Sequence, residues 1–306
     1  MPEIECQMKR IFYFNITYGC NSNCVFCYSH NTWHNSMPHN EIDADAFFAY
    51  LDEMKLNGND RVIVNGGEPL LHTQIENILL GLRKYQCEVL VYTNGRLLTQ
   101  GDYSLLNDRY RFVIPIHGTE TVHDKITGIP GSYKETIAGL RHLANTSLCA
   151  VDIKLILNQQ LMEADPDGLK MKEAFDTDIV FNNAIHLTKM ADTIVSMRHG
   201  CNSVSNEEAA GFMRIYFDYF AKHNVEIKLF DTCIKDITGL EKAEIHSFDE
   251  DIVVYFKDYS QFRVMDLSRQ FPECYVNCKC KNKCVSAVDE YKTLVFTNGE
   301  FYKELE

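Results

Sequence analysis

The sequence contains no apolar run approaching the roughly 20 residues that a membrane-crossing helix needs. Its opening stretch, MPEIECQMKR, is mixed and polar and lacks the apolar core of a secretory signal. These two absences lead to the expectation of a cytoplasmic protein with no membrane partner. A surplus of cationic side chains is missing as well: 30 Lys and Arg face 43 Asp and Glu, a formal net charge of −13. Nucleic-acid backbones are gripped by clustered Lys and Arg, so nucleic acid is not an expected partner, and methyl transfer to RNA is disfavoured. The acidic balance otherwise speaks to solubility. No internal repeat and no low-complexity linker interrupts the chain. Its 306 residues, 45% hydrophobic and 24% charged, suffice for one large domain or a large and a small one.

What is present is an alternation of apolar runs with helical patterns, which predicts an α/β parallel sheet over the first two-thirds of the chain. Strands are expected at 11–17, 61–65, 88–94, 111–117, 151–157 and 179–187. Helices are expected between them. Phe47, Leu51 and Met54 share one face of a segment at 43–57, and TQIENILLGLRKYQ and GSYKETIAGLRHL repeat that periodicity. In the second of these, Ser132 and Glu135 have the spacing of a capping box. With a helix near 206–223, this makes six β/α units, a partial (β/α)6 barrel in residues 1–225. Beyond Val225, the short runs DIVVYF, QFRVMD and KTLVFTNGEFY read as hairpins of a small α+β, cysteine-rich extension, residues 226–306.

Cysteine is abundant, 12 residues, and clustered. In a reducing compartment clustering points to metal ligands before disulfides. Cys20, Cys24 and Cys27 are spaced C-x3-C-x2-C directly after the first predicted strand, where α/β folds bind ligands. Three thiolates in so short a loop can occupy three corners of a cubane iron–sulfur cluster and leave the fourth iron open to a ligand. A zinc loop or three unrelated thiols is the plain alternative, although zinc usually adds a distant second pair. A second group, Cys274, Cys278, Cys280 and Cys284, has four ligands, enough for a complete cluster or one zinc. Cys6, Cys87, Cys149 and Cys201 are isolated and read as buried free thiols.

The C-x3-C-x2-C triad, with the aromatic Phe26 just before its third cysteine, resembles that of the radical S-adenosylmethionine (SAM) enzymes. So does NGGEPLL, Asn65 to Leu71, which looks like the GGEP motif of that superfamily. Tyr92 to Gly95, YTNG, falls at the matching strand end, and IPIHGTETVHDKITGIPGSY is similar to the fourth-strand region of its peptide- and cofactor-modifying members. The resemblance spans roughly residues 11 to 190. It implies a [4Fe–4S] cluster with an open iron on Cys20, Cys24 and Cys27, SAM chelated there, and reductive cleavage to a 5′-deoxyadenosyl radical that abstracts a substrate hydrogen. Gly66, Gly67, Glu68, Thr93, Asn94 and Phe26 would then line the SAM site, Glu68 as acceptor for the ammonium of its methionine part. Lys154 and Asn158 are candidate carboxylate or ribose contacts, with ordinary sheet residues as the plainer reading. His117 would face the adenosyl group or the substrate, or simply close its strand. His123 and Asp124 are expected to shape the loop.

The tail resembles the shorter Twitch/SPASM auxiliary-cluster extensions, which implies a second [4Fe–4S] cluster. It departs from them in having Lys303 and Glu304 where another cysteine usually follows. Cys233 could supply a ligand, or a hydrogen atom to substrate. A second cluster favours oxidation or cross-linking. The expected substrate is a side chain of a ribosomally made peptide. A first strand near residue 11 leaves no room for a leader-binding domain, so a separate leader-binding protein is an expected partner, with flavodoxin or ferredoxin as reductant. A small molecule, a sugar alcohol or cofactor precursor, is the alternative substrate, and a non-enzymatic iron–sulfur or zinc redox protein the alternative of another class.

Overall fold

A computed structural model of the chain describes residues 11–27, 41–189 and 206–230, together with the strands at 243–245, 251–258, 261–270, 288–297 and 300–303. Seven strands form the parallel sheet: β1 Ile11–Thr17, β2 Arg61–Gly66, β3 Glu88–Tyr92, β4 Tyr110–Ile116, β5 Ala150–Leu157, β6 Ala184–Lys189 and β7 Glu226–Phe230. They are neighbours in sequence order and each pairs parallel with the next. The short β8, Ala243–Ile245, follows β7 in the same direction. On the other side β9, Asp251–Asp258, pairs parallel with β1. From β9 the chain turns back through β10, Gln261–Gln270, β11, Val288–Thr297, and β12, Glu300–Lys303, all antiparallel. The sheet is open, a partial barrel, and the predicted fold class holds. Beyond the six units counted in the sequence, the parallel run takes in β7 and the short β8 at one end and β9 at the other.

Among the described residues seven helices accompany these strands: α1 Ala44–Glu53, α2 Ile75–Leu82, α3 Glu120–Thr127, α4 Ser132–Thr146, α5 Gln159–Ala164, α6 Leu169–Thr177 and α7 Asn206–Lys222. Alternation along each strand separates two faces. Phe12, Phe14, Val62, Val64, Phe112 and Ile114 belong to the buried layer under the helices, with Phe47 and Leu51 of α1 packed into it. Ile63, Leu90 and Val113 form a small separate cluster on the inner face, with Tyr13 and Tyr92 against it. Strands buried on both faces explain the near-continuous apolar runs in the sequence.

Three local expectations need correction. The sixth strand starts at Ala184, not at 179. Ile179 instead ends α6, its N–H donating to the Ala174 carbonyl, and Asn182 ties the connection to β5, accepting from Val151 N–H at 2.7 Å. The segment holding His123 and Asp124 is a helix, α3, not a loop. The capping box at α4 does not form: Gly131 is the N-cap and Ser132 makes no cap bond as such. Asp124 does that work from α3, accepting from Gly131 N–H (2.6 Å), Tyr133 N–H (2.8 Å) and Ser132 Oγ (3.0 Å). Its carboxyl lies below the usual range, because these donors outweigh the effect of burial. Asp124 therefore shapes this region, as expected.

Candidate active site

The loop from Tyr18 to Cys27 leaves β1 and is fixed on two sides. Asn23 N–H and Val25 N–H donate to the Thr127 and Ile126 carbonyls at the end of α3 (2.8 and 2.9 Å). At the loop's stem, Gly67 N–H and Glu68 N–H donate to the Thr17 and Gly19 carbonyls, both at 2.8 Å. That approach demands glycine. A Cβ on Gly66, whose φ is +147°, would stand 2.2 Å from the Thr17 carbonyl oxygen, and one on Gly67 2.3 Å from that of Gly19. The close approach these glycines permit is thus to the backbone that carries the cysteines, and Gly67 alone of the two also lines the cavity described next.

Cys20, Cys24 and Cys27 line one cavity of about 210 Å³. Gly67, Thr93 and Asn94 form part of the same wall, and Phe26, His117 and Lys154 another part. Gly66, Glu68 and Asn158, also singled out in the sequence, are not part of this lining. A larger hollow of about 360 Å³, between α2 and the turn after β3, is lined mainly by side chains such as Leu79, Leu97 and Tyr103. It gathers no such chemistry, so the smaller cavity is the candidate site.

Burial pushes Cys20 up to about 12, with the nearby Glu68 and Cys27 adding to the rise, and raises Cys24 too. Metal ions draw protons off such thiols, and desolvated cysteines converging on one cavity suit a cluster that accepts them as thiolates. Among the described residues, no three Cys, His, Asp or Glu side chains are grouped to hold one metal ion. A single zinc needs its ligands drawn to one point, whereas a cubane takes one cysteine per iron; the triad fits the cluster better.

Glu68 is 1% exposed. Oε1 accepts from Leu70 N–H (3.0 Å) and Thr93 Oγ (2.6 Å), and Oε2 from Asn94 N–H (2.8 Å). Burial raises its carboxyl despite these donors. A carboxylate has about four acceptor positions, so three protein donors leave room for one more. Thr93 and Asn94 are thereby locked to the GGEP turn, and Gly95 N–H donates to Thr93 Oγ at 3.1 Å.

His117, just beyond β4, is 2% exposed, and its Nδ1 has no hydrogen-bond partner among the described residues. Its ring meets Phe26 edge-on at 5.1 Å and His123 at 5.1 Å. Burial, with the charges of His123 and Lys154, keeps it neutral well below the ordinary histidine range. A neutral, buried imidazole with an unpartnered nitrogen on a cavity wall is a ready donor or acceptor for a bound ligand. Asn158 serves it from outside the cavity: Nδ2 donates to the His117 carbonyl (2.8 Å) while Oδ1 caps α5 at Leu161 N–H (2.9 Å). Lys154 Nζ lies 5.8 Å from the Tyr92 ring centre. Missed by sequence reasoning were Asn21, Ser22 and Arg96. They sit beside recognised motifs, and nothing in their spacing announced that the first two touch the third.

Cys233, Cys274, Cys278, Cys280 and Cys284 lie outside the described residues, as do Cys6 and Cys201. Cys87 and Cys149 are buried free thiols, as expected. No helix among the described residues is long and apolar enough to cross a membrane.

Residues 14–155, which include the cysteine loop, the GGEP turn and β1 to most of β5, match the model of the Radical SAM superfamily. That match takes in a little under half of the chain. Its sequence is 32% identical over 137 residues to an AdoMet-dependent heme synthase of Methanosarcina barkeri, covering 44% of this chain and 39% of that protein. Its fold is similar to that of Streptococcus suis SuiB bound to the precursor peptide SuiA (TM-score 0.60, 14% identity, 81% of this chain and 58% of the other). It is also similar to anSMEcpe with bound AdoMet and a peptide (TM-score 0.54, 15% identity, 70% and 60%). The chain thus spans less than two-thirds of each. The likeness to these solved structures is one of fold, an open parallel α/β sheet shaped as a partial barrel.

Proposed function

We propose that the chain is a radical SAM enzyme in which Cys20, Cys24 and Cys27 hold a [4Fe–4S] cluster and SAM occupies the adjoining cavity. The observation that carries this reading is the opening of all three thiols onto one cavity shared with the GGEP and YTNG turns. Cluster and SAM together supply, after one-electron reduction, a carbon radical able to abstract hydrogen from a substrate. The chain's own residues bind and orient. Glu68 offers its remaining acceptor position to the SAM ammonium, held in place by Thr93 and Asn94. His117 presents a neutral ring nitrogen, and Phe26 meets its ring edge-on. Lys154 offers a cation to a carboxylate or to the ribose oxygens. Val113 and Ile156 add an apolar part to the same wall.

The substrate we assign is a side chain of a ribosomally made peptide, reached with a separate leader-binding protein and a flavodoxin- or ferredoxin-like reductant. Support comes from the fourth-strand region and the cysteine-rich tail. In the tail, residues 226–306, Cys274, Cys278, Cys280 and Cys284 would hold an auxiliary [4Fe–4S] cluster, with Cys233 as substitute ligand. Likeness to a heme synthase over 44% of the chain favours a second reading, oxidation of a small molecule. Anaerobic reconstitution followed by SAM and dithionite tests the common core. The wild type should release 5′-deoxyadenosine, and replacing Cys20, Cys24 and Cys27 by Ala should abolish that product and lower bound iron by about half, leaving one cubane. Product formation by the triple variant contradicts the assignment.

A further inference from the structure

Arg96 follows the YTNG turn, and its side chain is only 12% exposed, at the wall of the cysteine cavity. Nη1 donates to the Asn21 carbonyl and reaches Ser22 Oγ at 3.3 Å. Nε pairs with Glu135 Oε2 on α4 at 2.5 Å. Asn94 grips the same two loop residues, its Nδ2 donating to Asn21 Oδ1 (2.6 Å) and Ser22 Oγ (3.3 Å). Asn21 and Ser22 are the middle of the span between Cys20 and Cys24, and Ser22 N–H is 3.4 Å from Cys20 Sγ. A permanent cation is thus anchored on the backbone that carries two of the three thiols. Its counterion does not cancel it there: the Glu135 side chain is 51% exposed and is not part of the cavity wall, so water screens it. Arginine suits the place because its planar fork serves Glu135 with one nitrogen and the loop with another.

Resting on the cluster reading above, we propose that Arg96 is a positioning residue that fixes the C-x3-C span and places a positive charge beside the cluster, raising its reduction potential. Reduction adds negative charge to a buried cluster, and a fixed cation favours the reduced state over the oxidised one.

The test is an EPR-monitored redox titration of the full chain, reconstituted anaerobically, without SAM. It follows the signal component that disappears in the Cys20, Cys24 and Cys27 to Ala variant. Arg96→Gln should shift the one-electron equilibrium about tenfold toward the oxidised form, about 59 mV more negative. Arg96→Lys should stay nearer the wild-type potential but lose iron faster to a chelator, since an ammonium cannot reproduce the fork. Glu135→Gln, which keeps the cation, should not move the potential to more negative values. A fully loaded Arg96→Gln at the wild-type potential overturns the proposal, as does an Arg96→Lys shift equal to that of Arg96→Gln. Should Arg96→Gln lose its cluster, the Lys and Glu135 variants decide. If no signal component depends on the three cysteines, the cluster reading falls and the proposal with it.

Discussion

Along β4, Phe112, Ile114 and Ile116 pack under the helices, while Arg111, Val113 and Pro115 alternate with them on the inner face. The other strands repeat the division. The helix side is apolar throughout: Phe12, Phe14, Val62, Val64, Val91, Ile153 and Leu155 are all 1% exposed or less. On the inner side a row of charges crosses the sheet. Arg61 pairs with Glu88 at 2.7 Å, Arg111 reaches Glu88 and Asp152 at 3.5 Å each, and Asp152 meets His186 Nε2 at 2.6 Å. Asn183 Nδ2 and Ala184 N–H also donate to Asp152, at 2.5 and 3.1 Å. Buried charge is costly unless paired, and each member of this row has a partner of opposite sign or a hydrogen-bonding one. The helix side supplies stability, and the inner side holds polar groups in place below the cysteine cavity. Removing material from each side should therefore fail in different ways.

The largest effect on stability is expected on the helix side. Phe112→Ala should cost about 3–5 kcal/mol, much of the 5–15 kcal/mol typical of a domain, and lower the urea midpoint sharply. A small loss there would mean that the apolar layer is not where stability resides. A smaller and pH-dependent effect is expected on the inner side. Burial alone would raise the Asp152 carboxyl, but the hydrogen bond and charge of His186, with Asn183 and Arg111, hold it below the usual range. A carboxyl lower in the folded than in the unfolded state contributes stability above its unfolded value, about 3.9, and loses that contribution as pH falls through the folded one. Wild-type thermal midpoints should therefore drop below about pH 4. Asp152→Asn should cost about 1–3 kcal/mol at neutral pH and flatten that drop. Equal acid sensitivity in both proteins would show that the row is not linked to stability in this way.

The same two faces explain what could be read from the sequence. β1 to β5 were legible within a residue or two because Val, Ile and Phe recur on the helix side and Gly or Asn ends each run. The sixth strand was misplaced because Ile179 and Phe181 look like strand residues, yet Ile179 closes a helix and Asn182 bonds to β5. The cysteines and the Glu68 turn stood out as local patterns. Arg96 did not, since its partners Asn21 and Glu135 are 75 and 39 positions away. Glu135 looked like half of a capping box for the same reason: spacing along one helix cannot show a partner on another element. Asp124, seven residues before the N-cap Gly131, gave no sign that it caps the next helix.

The central claim is that the three loop cysteines leave one iron of their cluster open to SAM. The most direct measurement is the EPR spectrum of the reduced, reconstituted protein with and without SAM. The account predicts that SAM shifts the signal that depends on Cys20, Cys24 and Cys27. A spectrum unchanged by saturating SAM, with that signal present, would contradict it.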